Sequence, residues 1–322
     1  MRCFVGDEFG SVDLYQLTDL PTPRPGSDEV RIRIAATALG FVDGLLVEGR
    51  YQLRPALPYV PGGEIAGVVD AVGSDVAGVS VGDRVAVWRL GGGLAEYIVV
   101  KANEVSIVPD ELDLEIAAVM LLDFQTAHYA LVARANLKKG ETVLVLGAAS
   151  GVGAAAVQLA AGSGANVIAA ASTEAKRSLA RRLGATTTVD SRGDLRSQMR
   201  DLVPSGVDVV VDPVGGTSSE AAFRSLAKYG RHLVIGFASG RIPSIPANLP
   251  LLKSGSLVGV DVRHFYTSDL DQARFALEAL FRMMVTGILN PPSIQRFALH
   301  QSQLAIARTS DRDKAGKVVV VP

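Results

Sequence analysis

The residues best suited to chemistry in this chain form a small-residue turn between a predicted strand and a predicted helix. The apolar segment 143–146 runs into the sequence GAASGVG at 147–153, and an apolar helix is predicted to follow. Small residues let the backbone approach a pyrophosphate, and a helix N-terminus offers N–H donors and the positive end of its dipole. The residues predicted to bind a dinucleotide here are Ser150, Gly151, Val152 and Gly153.

The end of the next predicted strand indicates which dinucleotide binds. Proteins that bind NAD place an Asp or Glu there to accept a hydrogen bond from the ribose 2′-hydroxyl. In this chain the strand ends at Ser172 with no acid at its tip, and Lys176 lies four residues further on. Ser172, Lys176 and, past the third strand, Arg192 are predicted to bind a 2′-phosphate, so the segment favours NADPH. Glu174 argues against this prediction, and a solvated helix charge is the alternative interpretation of Lys176.

Two further loops of small residues follow the predicted fourth and fifth strands. Val214 lies in the first, at 212–216, and Gly236, Phe237 and Ala238 lie in the second, at 236–240. Ligands of such sheets bind at the carboxyl ends of the strands, so both loops are predicted to contact the cofactor. Ordinary turns between a strand and a helix are the alternative.

Residues that could bind a metal are few and scattered. The chain has one cysteine, Cys3, so no internal disulfide is possible, and a single cysteine is typical of a reducing compartment. Its histidines, which lack the spacing of metal ligands, are His128, His232, His264 and His300. No metal site is predicted.

The elements that must position the cofactor alternate between strand and helix. Apolar strands are predicted at 143–147, 166–170, 186–190, 207–212, 231–236 and 257–262, and amphipathic helices at 151–163, 174–183, 194–202 and 217–227. Fully apolar strands separated by helices indicate a parallel sheet that is covered on both faces. The sequence therefore predicts an α/β fold with a doubly wound Rossmann domain and a parallel six-stranded sheet.

The flanking segments predict a second domain rich in β-structure. Short strands at 29–38, 64–72, 84–88 and 95–100 are separated by glycine and proline. A helix over 114–133 leads to the Rossmann part, while a helix over 269–285, a short helix over 301–308 and a strand over 316–321 return to the first domain. The predicted domains are 1–118 with 267–322, and 119–266.

The composition is ordinary for a globular protein and excludes several functional classes. Of 322 residues, 48% are hydrophobic and 20% are charged, and the formal net charge is -1. This charge gives no reason to expect nucleic acid or an anionic membrane as a partner. No apolar run reaches the roughly 20 residues of a membrane span, and the N-terminus does not resemble a signal peptide. A cytoplasmic enzyme with a small-molecule substrate is expected.

The chain resembles the medium-chain dehydrogenase/reductase superfamily, in particular its zinc-free NADPH:quinone oxidoreductase branch, the zeta-crystallin-like group. The segments that carry the resemblance span most of the chain, at 39–43, 48–51, 61–69, 79–85, 126–127, 147–153 and 236–240. The resemblance implies a GroES-like β-rich catalytic domain, a Rossmann domain that binds NADPH, and a homodimer formed through the edge strand at 257–262.

The resemblance also implies a reaction without a metal. Zinc-dependent members of the superfamily would place their ligands at Gly40, Gly63 and near Leu122, and none of these residues can bind zinc. Hydride transfer from NADPH to a quinone or to an activated C=C bond is implied, because conjugation already polarises such acceptors. An enoyl-thioester reductase is the first alternative. An NADPH-binding structural or regulatory protein with little turnover is the second.

The site residues outside the cofactor motifs follow from the same resemblance. Tyr51 is implied as the proton donor, with a packing role as its alternative, and Thr126 is expected to face the nicotinamide. Lys317 is expected near the cofactor, and Arg263 is expected to bind an anionic substrate group or to be simply exposed. The residues expected in the substrate pocket are Gly40, Phe41, Tyr51, Tyr59 and Arg263.

Overall fold

The computed structural model describes residues 1–311 and 316–322. The chain divides into two compact units, which comprise Met1–Leu122, Leu270–Gly287 and Pro291–Pro322 in the first, and Asp123–Asp269 and Ile288–Asn290 in the second. The predicted boundaries lie within a few residues of these, except that the short segment 288–290 was not predicted to belong to the Rossmann unit.

The strands and helices of the described residues are bounded as follows. The strands are β1 (Arg2–Gly6), β2 (Tyr15–Asp19), β3 (Glu29–Leu39), β4 (Glu64–Val72), β5 (Arg84–Trp88), β6 (Tyr97–Lys101), β7 (Ser106–Ile107), β8 (Thr142–Leu146), β9 (Asn166–Ala171), β10 (Thr187–Asp190), β11 (Val207–Asp212), β12 (Leu226–Val234), β13 (Ser256–Gly259), β14 (Ile294–Ala298) and β15 (Lys317–Val321). The helices are α1 (Phe41–Val47), α2 (Leu114–Met120), α3 (Asp123–His128), α4 (Gly151–Gly162), α5 (Glu174–Arg182), α6 (Leu195–Leu202), α7 (Thr217–Arg224), α8 (Asn248–Lys253), α9 (Val262–Ser268), α10 (Leu270–Val285) and α11 (Ser302–Thr309), and the π-helical segment Tyr129–Arg134 follows α3.

The second unit is a Rossmann domain, as predicted. Within residues 123–269, all of which the structure describes, six parallel strands form one sheet in the order β10–β9–β8–β11–β12–β13. Apolar side chains from strands and helices, such as Leu144, Ile168, Val210 and Phe223, are buried together in its core. The strand order reverses between β8 and β11, which is the point at which ligands bind in doubly wound sheets.

The first unit is built on a mostly antiparallel sheet. Its strands lie in the order β14–β15–β3–β4–β5–β7, and β6 also pairs with β3. Alternating side chains of these strands, including Ile32, Ile65, Val69 and Val85, are buried in one cluster. The sheet places the end of β3 and the start of β4 side by side, with Ala38 opposite Glu64. The residues that follow β3 and precede β4 carry most of the predicted substrate pocket.

Two predicted elements end earlier in the structure than the sequence predicts. The predicted helix over 114–133 is interrupted after Met120, because the Leu122 N–H donates to the Glu64 side chain at 3.0 Å. The predicted strand over 257–262 ends at Gly259, because the Asp261 carboxylate caps a new helix by accepting from the Arg263 N–H at 3.1 Å. Arg263 therefore lies on α9.

The outermost strand of the Rossmann sheet, β13, is the edge that was predicted to form a homodimer. Leu257 on this strand is 50% exposed in the chain described here, and the homodimer stays a prediction. Among the described residues, no single helix is long and apolar enough to cross a membrane. The segments Leu114–Met120 and Asp123–Arg134 meet that test only when they are taken together as a bent pair.

Candidate active site

The turn between β8 and α4 has the close backbone packing that a dinucleotide needs. Gly147 has φ +60°, and a Cβ on Gly153 would lie 2.1 Å from the carbonyl oxygen of Gly147. Ser150 caps the helix, because its hydroxyl accepts from the Gly153 N–H at 3.3 Å. Gly151 is exposed and Val152 is half-buried, and the Asp123 carboxylate packs against Gly151, where a Cβ would lie 2.0 Å from its Oδ2. These residues fit a diphosphate held by helix N–H groups.

The predicted phosphate-binding residues lie at the tips of two neighbouring strands. Ser172 follows β9, and Lys176 lies in the first turn of α5, where Thr173 accepts from its N–H at 3.3 Å. Arg192 follows β10, with 66% of its side chain exposed and its Nε 3.6 Å from Asp190. The parallel pairing of β9 with β10 places Asp190 opposite Ala171, so these groups share one edge of the sheet.

Glu174, the acidic residue near the predicted 2′-phosphate site, is hydrogen-bonded to two arginines. Hydrogen bonds from Arg181 at 2.7 Å and Arg177 at 3.1 Å lower the pKa of Glu174, so its carboxylate stays charged and is offset by both guanidinium groups. Arg177 also donates to the carbonyl of Ala171 at the end of β9, at 3.1 Å. Arg177, which also pairs with Asp190 at 3.3 Å, is thus a further cation at the strand tip.

Replacement of Lys176 by alanine is expected to reduce the preference for NADPH over NADH by about 10- to 100-fold. The reason is the loss of one charge-assisted hydrogen bond, worth about 1.5–3 kcal/mol, to the 2′-phosphate. The ratio of the two dissociation constants, measured by quenching of protein fluorescence, checks the prediction. Arg182→Ala, at the exposed end of the same helix, is the matched control. Equal affinity of the wild type for both cofactors would contradict the assignment of the phosphate site.

A buried carboxylate organises the loop that follows β11. Asp212, which is 2% exposed, accepts from the N–H groups of Val214 at 2.9 Å and Gly215 at 2.8 Å. Its other donors are the Ser219 hydroxyl and Nε2 of His232, at 3.0 Å. Burial alone would raise the pKa of Asp212, but the hydrogen bonds from His232, Ser219 and Gly215 outweigh it and hold the pKa below its usual range. Asp212 therefore fixes the predicted cofactor loop as an ionised group.

The second cofactor loop is hydrogen-bonded to the first. The N–H of Ala238 donates to the carbonyl of Pro213 at 3.2 Å, and the N–H of Ser239 donates to that of Val214 at 2.9 Å. The Gly236 N–H donates to the Asp212 carbonyl at 3.4 Å, and Phe237 is 39% exposed. The structure thus brings the predicted residues Val214, Gly236, Phe237 and Ala238 together at one end of the sheet.

Asp212→Asn is expected to lower the free energy of unfolding at pH 7 by about 2–3 kcal/mol, because it removes a buried charge that holds several hydrogen bonds. Since the folded pKa lies below the unfolded value, the stabilising contribution is full above about pH 4 and is lost as the pH falls through the folded pKa. The difference between wild type and variant should therefore shrink below pH 4. Urea unfolding between pH 3 and 7 measures it, with the exposed Asp201→Asn as control.

The other predicted residues of the Rossmann unit lie on α3 and α9. Thr126 is 5% exposed on α3, next to Gln125, which accepts a hydrogen bond from the Tyr266 hydroxyl at 2.5 Å. The guanidinium of Arg263 donates hydrogen bonds to the Asp261 carboxylate from both Nε, at 2.9 Å to Oδ1, and Nη2. Arg263 is thus engaged on its own helix, and its predicted contact with an anionic substrate would compete with Asp261.

The two candidate tyrosines have different surroundings. Tyr59 is 4% exposed, and its hydroxyl donates to the Leu90 carbonyl at 2.7 Å, while burial raises its pKa. Tyr51 is half-buried against the same apolar cluster as Phe297, just beyond α1. Tyr59 thus lies in the core of the first unit, and both its predicted place in the substrate pocket and the donor role of Tyr51 stay predictions.

Gly40 and Phe41 begin α1, and Lys317 begins β15. Gly40 is the N-cap and Phe41 is 42% exposed, and their predicted place in the substrate pocket stays a prediction. Lys317 is 7% exposed, and its ammonium lies 2.8 Å from the Glu64 carboxylate. The structure thus gives Lys317 a buried ion pair inside the first unit, and its predicted contact with the cofactor stays a prediction.

The position that carries histidine in zinc-dependent relatives is closed to any side chain. A Cβ on Gly63 would lie 2.1 Å from the carbonyl oxygen of Arg89, a backbone atom held by the hydrogen bond from the Arg89 N–H to the Gly63 carbonyl at 2.8 Å. In the described residues, no three His, Cys, Asp or Glu side chains are grouped to hold a metal. Gly40, Gly63 and Leu122 thus do not fit a zinc ion.

Comparisons with known proteins agree with this geometry. The family described as alcohol dehydrogenase GroES-like domain matches residues 26–110, and the family described as zinc-binding dehydrogenase matches residues 151–278. Quinone oxidoreductase-like protein 2 of Bos taurus is 37% identical over 303 residues, which cover 93% of this chain and 87% of the bovine protein.

Solved structures extend the similarity to the whole fold. The Escherichia coli quinone oxidoreductase complexed with NADPH is 25% identical, with a TM-score of 0.91 over 100% of both chains. The CurK enoyl reductase is 28% identical, with a TM-score of 0.88 over 99% of this chain and 98% of its own. The chain therefore belongs to the quinone oxidoreductase branch of the medium-chain dehydrogenase/reductase superfamily.

Proposed function

We propose that this protein is a zinc-independent, NADPH-dependent reductase of quinones or of α,β-unsaturated carbonyl compounds. The observation that carries the proposal is Gly63, which has no room for a ligand side chain in a chain whose β8–α4 turn is shaped for a dinucleotide. Acceptors polarised by conjugation are the substrates that need no Lewis acid. A cytoplasmic homodimer is part of the same proposal.

The roles of the residues follow from their positions. NADPH supplies the hydride when it is bound. The first turn of α4 holds the diphosphate, and Ser172, Lys176 and Arg192 hold the 2′-phosphate. Thr126 and the paired loops that follow β11 and β12 orient the nicotinamide. Tyr51 donates a proton from its hydroxyl to the reduced acceptor.

Similarity to an enoyl reductase supports a second candidate within the same chemistry. An enoyl-thioester reductase would use the same hydride source and the same proton donor, and it would need a binding site for the pantetheine or nucleotide part of its substrate. Arg263 is the cation predicted for that part, and its pairing with Asp261 favours the smaller acceptors. A protein that binds NADPH with little turnover is the alternative from another class.

A steady-state assay separates the three candidates. NADPH oxidation is followed with 1,2-naphthoquinone, with an alkyl enone and with crotonyl-CoA, using protein dialysed against EDTA and checked for zinc by mass spectrometry. We expect turnover with the quinone or the enone at full rate without metal. Preference for crotonyl-CoA would establish the enoyl-thioester reductase. Tight NADPH binding without turnover of any acceptor would favour the binding protein, and loss of activity with the metal would overturn the proposal.

A further inference from the structure

Three charged side chains are buried together in the first unit, beside the pocket residue Gly40. The exposed fractions of Asp43, Glu64 and Lys317 are 6%, 1% and 7%. A Cβ on Gly40 would lie 3.7 Å from both Oε1 of Glu64 and Nζ of Lys317, and 4.0 Å from Oδ2 of Asp43. The three charged groups therefore surround the position that a side chain on residue 40 would occupy. Charges are buried in this way only when they are paired and hydrogen-bonded.

The two carboxylates hold the backbone at specific positions. Asp43 accepts from the Gly40 N–H at 2.7 Å, and the backbone of Gly63 also donates to it. Glu64 accepts from the Leu122 N–H at 3.0 Å and pairs with Lys317 at 2.8 Å. Gly40, Gly63 and Leu122 are the three positions that carry metal ligands in zinc-dependent relatives. In this chain each of them donates its backbone N–H to a buried carboxylate.

We propose that Asp43, Glu64 and Lys317 form a charged cross-link that fixes these three backbone positions and thereby positions the acceptor in a reductase without a metal. The proposal rests on the proposed function for its acceptor. A zinc ion bound by three side chains would tie the same segments together, and here hydrogen bonds from the backbone to carboxylates do so. The three residues are positioning residues, because the cross-link acts through the backbone of Gly40, Gly63 and Leu122.

Energetics favour this role over a general contribution to stability. Buried ion pairs are often no more stabilising than apolar residues of the same volume, whereas removal of one partner is strongly destabilising. Burial raises the pKa of Asp43, and backbone hydrogen bonds from Gly40, Gly62 and Gly63 oppose that rise, as does the charge of Lys317. An apolar core would avoid all of these costs, so the charges are best explained by the geometry that they impose on the loops.

The test combines amide hydrogen exchange with kinetics. In Lys317→Met and Glu64→Gln, exchange at the Gly40 and Leu122 amides is expected to accelerate at least about tenfold, and kcat/KM for the acceptor to fall by a similar factor. In Glu64→Gln the NADPH dissociation constant should stay within about twofold, because Glu64 is not a predicted cofactor residue and the predicted diphosphate turn lies in the other unit. The double variant should lose no more activity than either single variant, since the two side chains act as one pair.

Controls separate positioning from loss of folding. Lys101→Met breaks an exposed ion pair with Asp28, 2.7 Å long, and should change neither exchange nor kcat/KM. Lys317→Arg keeps the positive charge and should have most of the wild-type activity. If Lys317→Met does not fold, Lys317→Arg and Glu64→Gln provide the comparison. Unchanged exchange, or an unchanged kcat/KM in folded Lys317→Met, would overturn the cross-link. If the wild type reduces none of the acceptors, the proposed function fails, while amide exchange still decides whether the cross-link exists.

Discussion

Tyr51→Phe is expected to lower kcat by about 100-fold with an unsaturated carbonyl acceptor, at the lower end of what a general acid contributes. The phenylalanine ring preserves the packing of Tyr51 in the apolar cluster with Phe9, Val42 and Phe297, and removes only the hydroxyl. The backbone at this position is fixed by the hydrogen bond from its N–H to the Leu45 carbonyl at 3.2 Å. The NADPH dissociation constant should therefore not change.

The measurement is steady-state turnover at saturating NADPH, accompanied by thermal unfolding. Tyr229→Phe is the matched control, because Tyr229 is 64% exposed on β12 in the other unit. A turnover number for Tyr51→Phe equal to that of the wild type would show that the hydroxyl donates no proton. Tyr51 would then have the packing role that was its alternative interpretation.

Gly153→Ala is expected to have the largest effect on the cofactor site. The new Cβ would lie 2.1 Å from the carbonyl oxygen of Gly147. Relief of this overlap would require a shift of the main chain, either at Gly147 or at the start of α4. Overpacking of this kind costs about 3 kcal/mol. Displacement of α4 from the turn removes helix N–H donors from the diphosphate, so the NADPH dissociation constant should rise roughly 100-fold.

The same helix provides a matched control for this prediction. A Cβ on Gly162, at the other end of α4, would meet no atom within 4 Å. Gly162→Ala should therefore raise the free energy of unfolding by about 0.5–1 kcal/mol, as alanine does in a helix, and leave NADPH affinity unchanged. Urea unfolding and fluorescence titration measure both variants. Equal NADPH affinity of Gly153→Ala and the wild type would show that the diphosphate lies elsewhere.

Periodicity and turn chemistry predict the framework of this protein well. The strands β4 and β5 have the predicted bounds, and the six parallel strands and the β8–α4 turn occur where the apolar runs and small residues indicated. These features depend on neighbours in the sequence. Local signals thus suffice to predict the fold class, while the residues that bind the dinucleotide stay predictions.

The features that the sequence did not predict depend on partners that are distant in the chain. The interruption after α2 follows from Glu64, 58 residues before the Leu122 amide that it binds. His232 supports the predicted cofactor loop through its hydrogen bond to Asp212, which lies 20 residues earlier on the adjacent strand. The sequence around Glu64 or His232 does not show which distant group each side chain contacts, because those contacts depend on how the strands pair and on where the chain returns. The Asp261 cap of α9 is different, because an Asp before a helix is a recognisable signal that the apolar run at 257–262 concealed.

The close approach of Arg89 to Gly63 limits how this enzyme could be redesigned. Cysteine at 40, histidine at 63 and cysteine at 122 would supply side chains that can bind zinc. The histidine, however, would have to occupy space that the Arg89 carbonyl oxygen fills. A conversion to metal chemistry would first require a different path for the chain that leaves β5. The main chain of this protein thus leaves no room for a histidine at position 63, and exchange of ligand side chains alone would not create a zinc site.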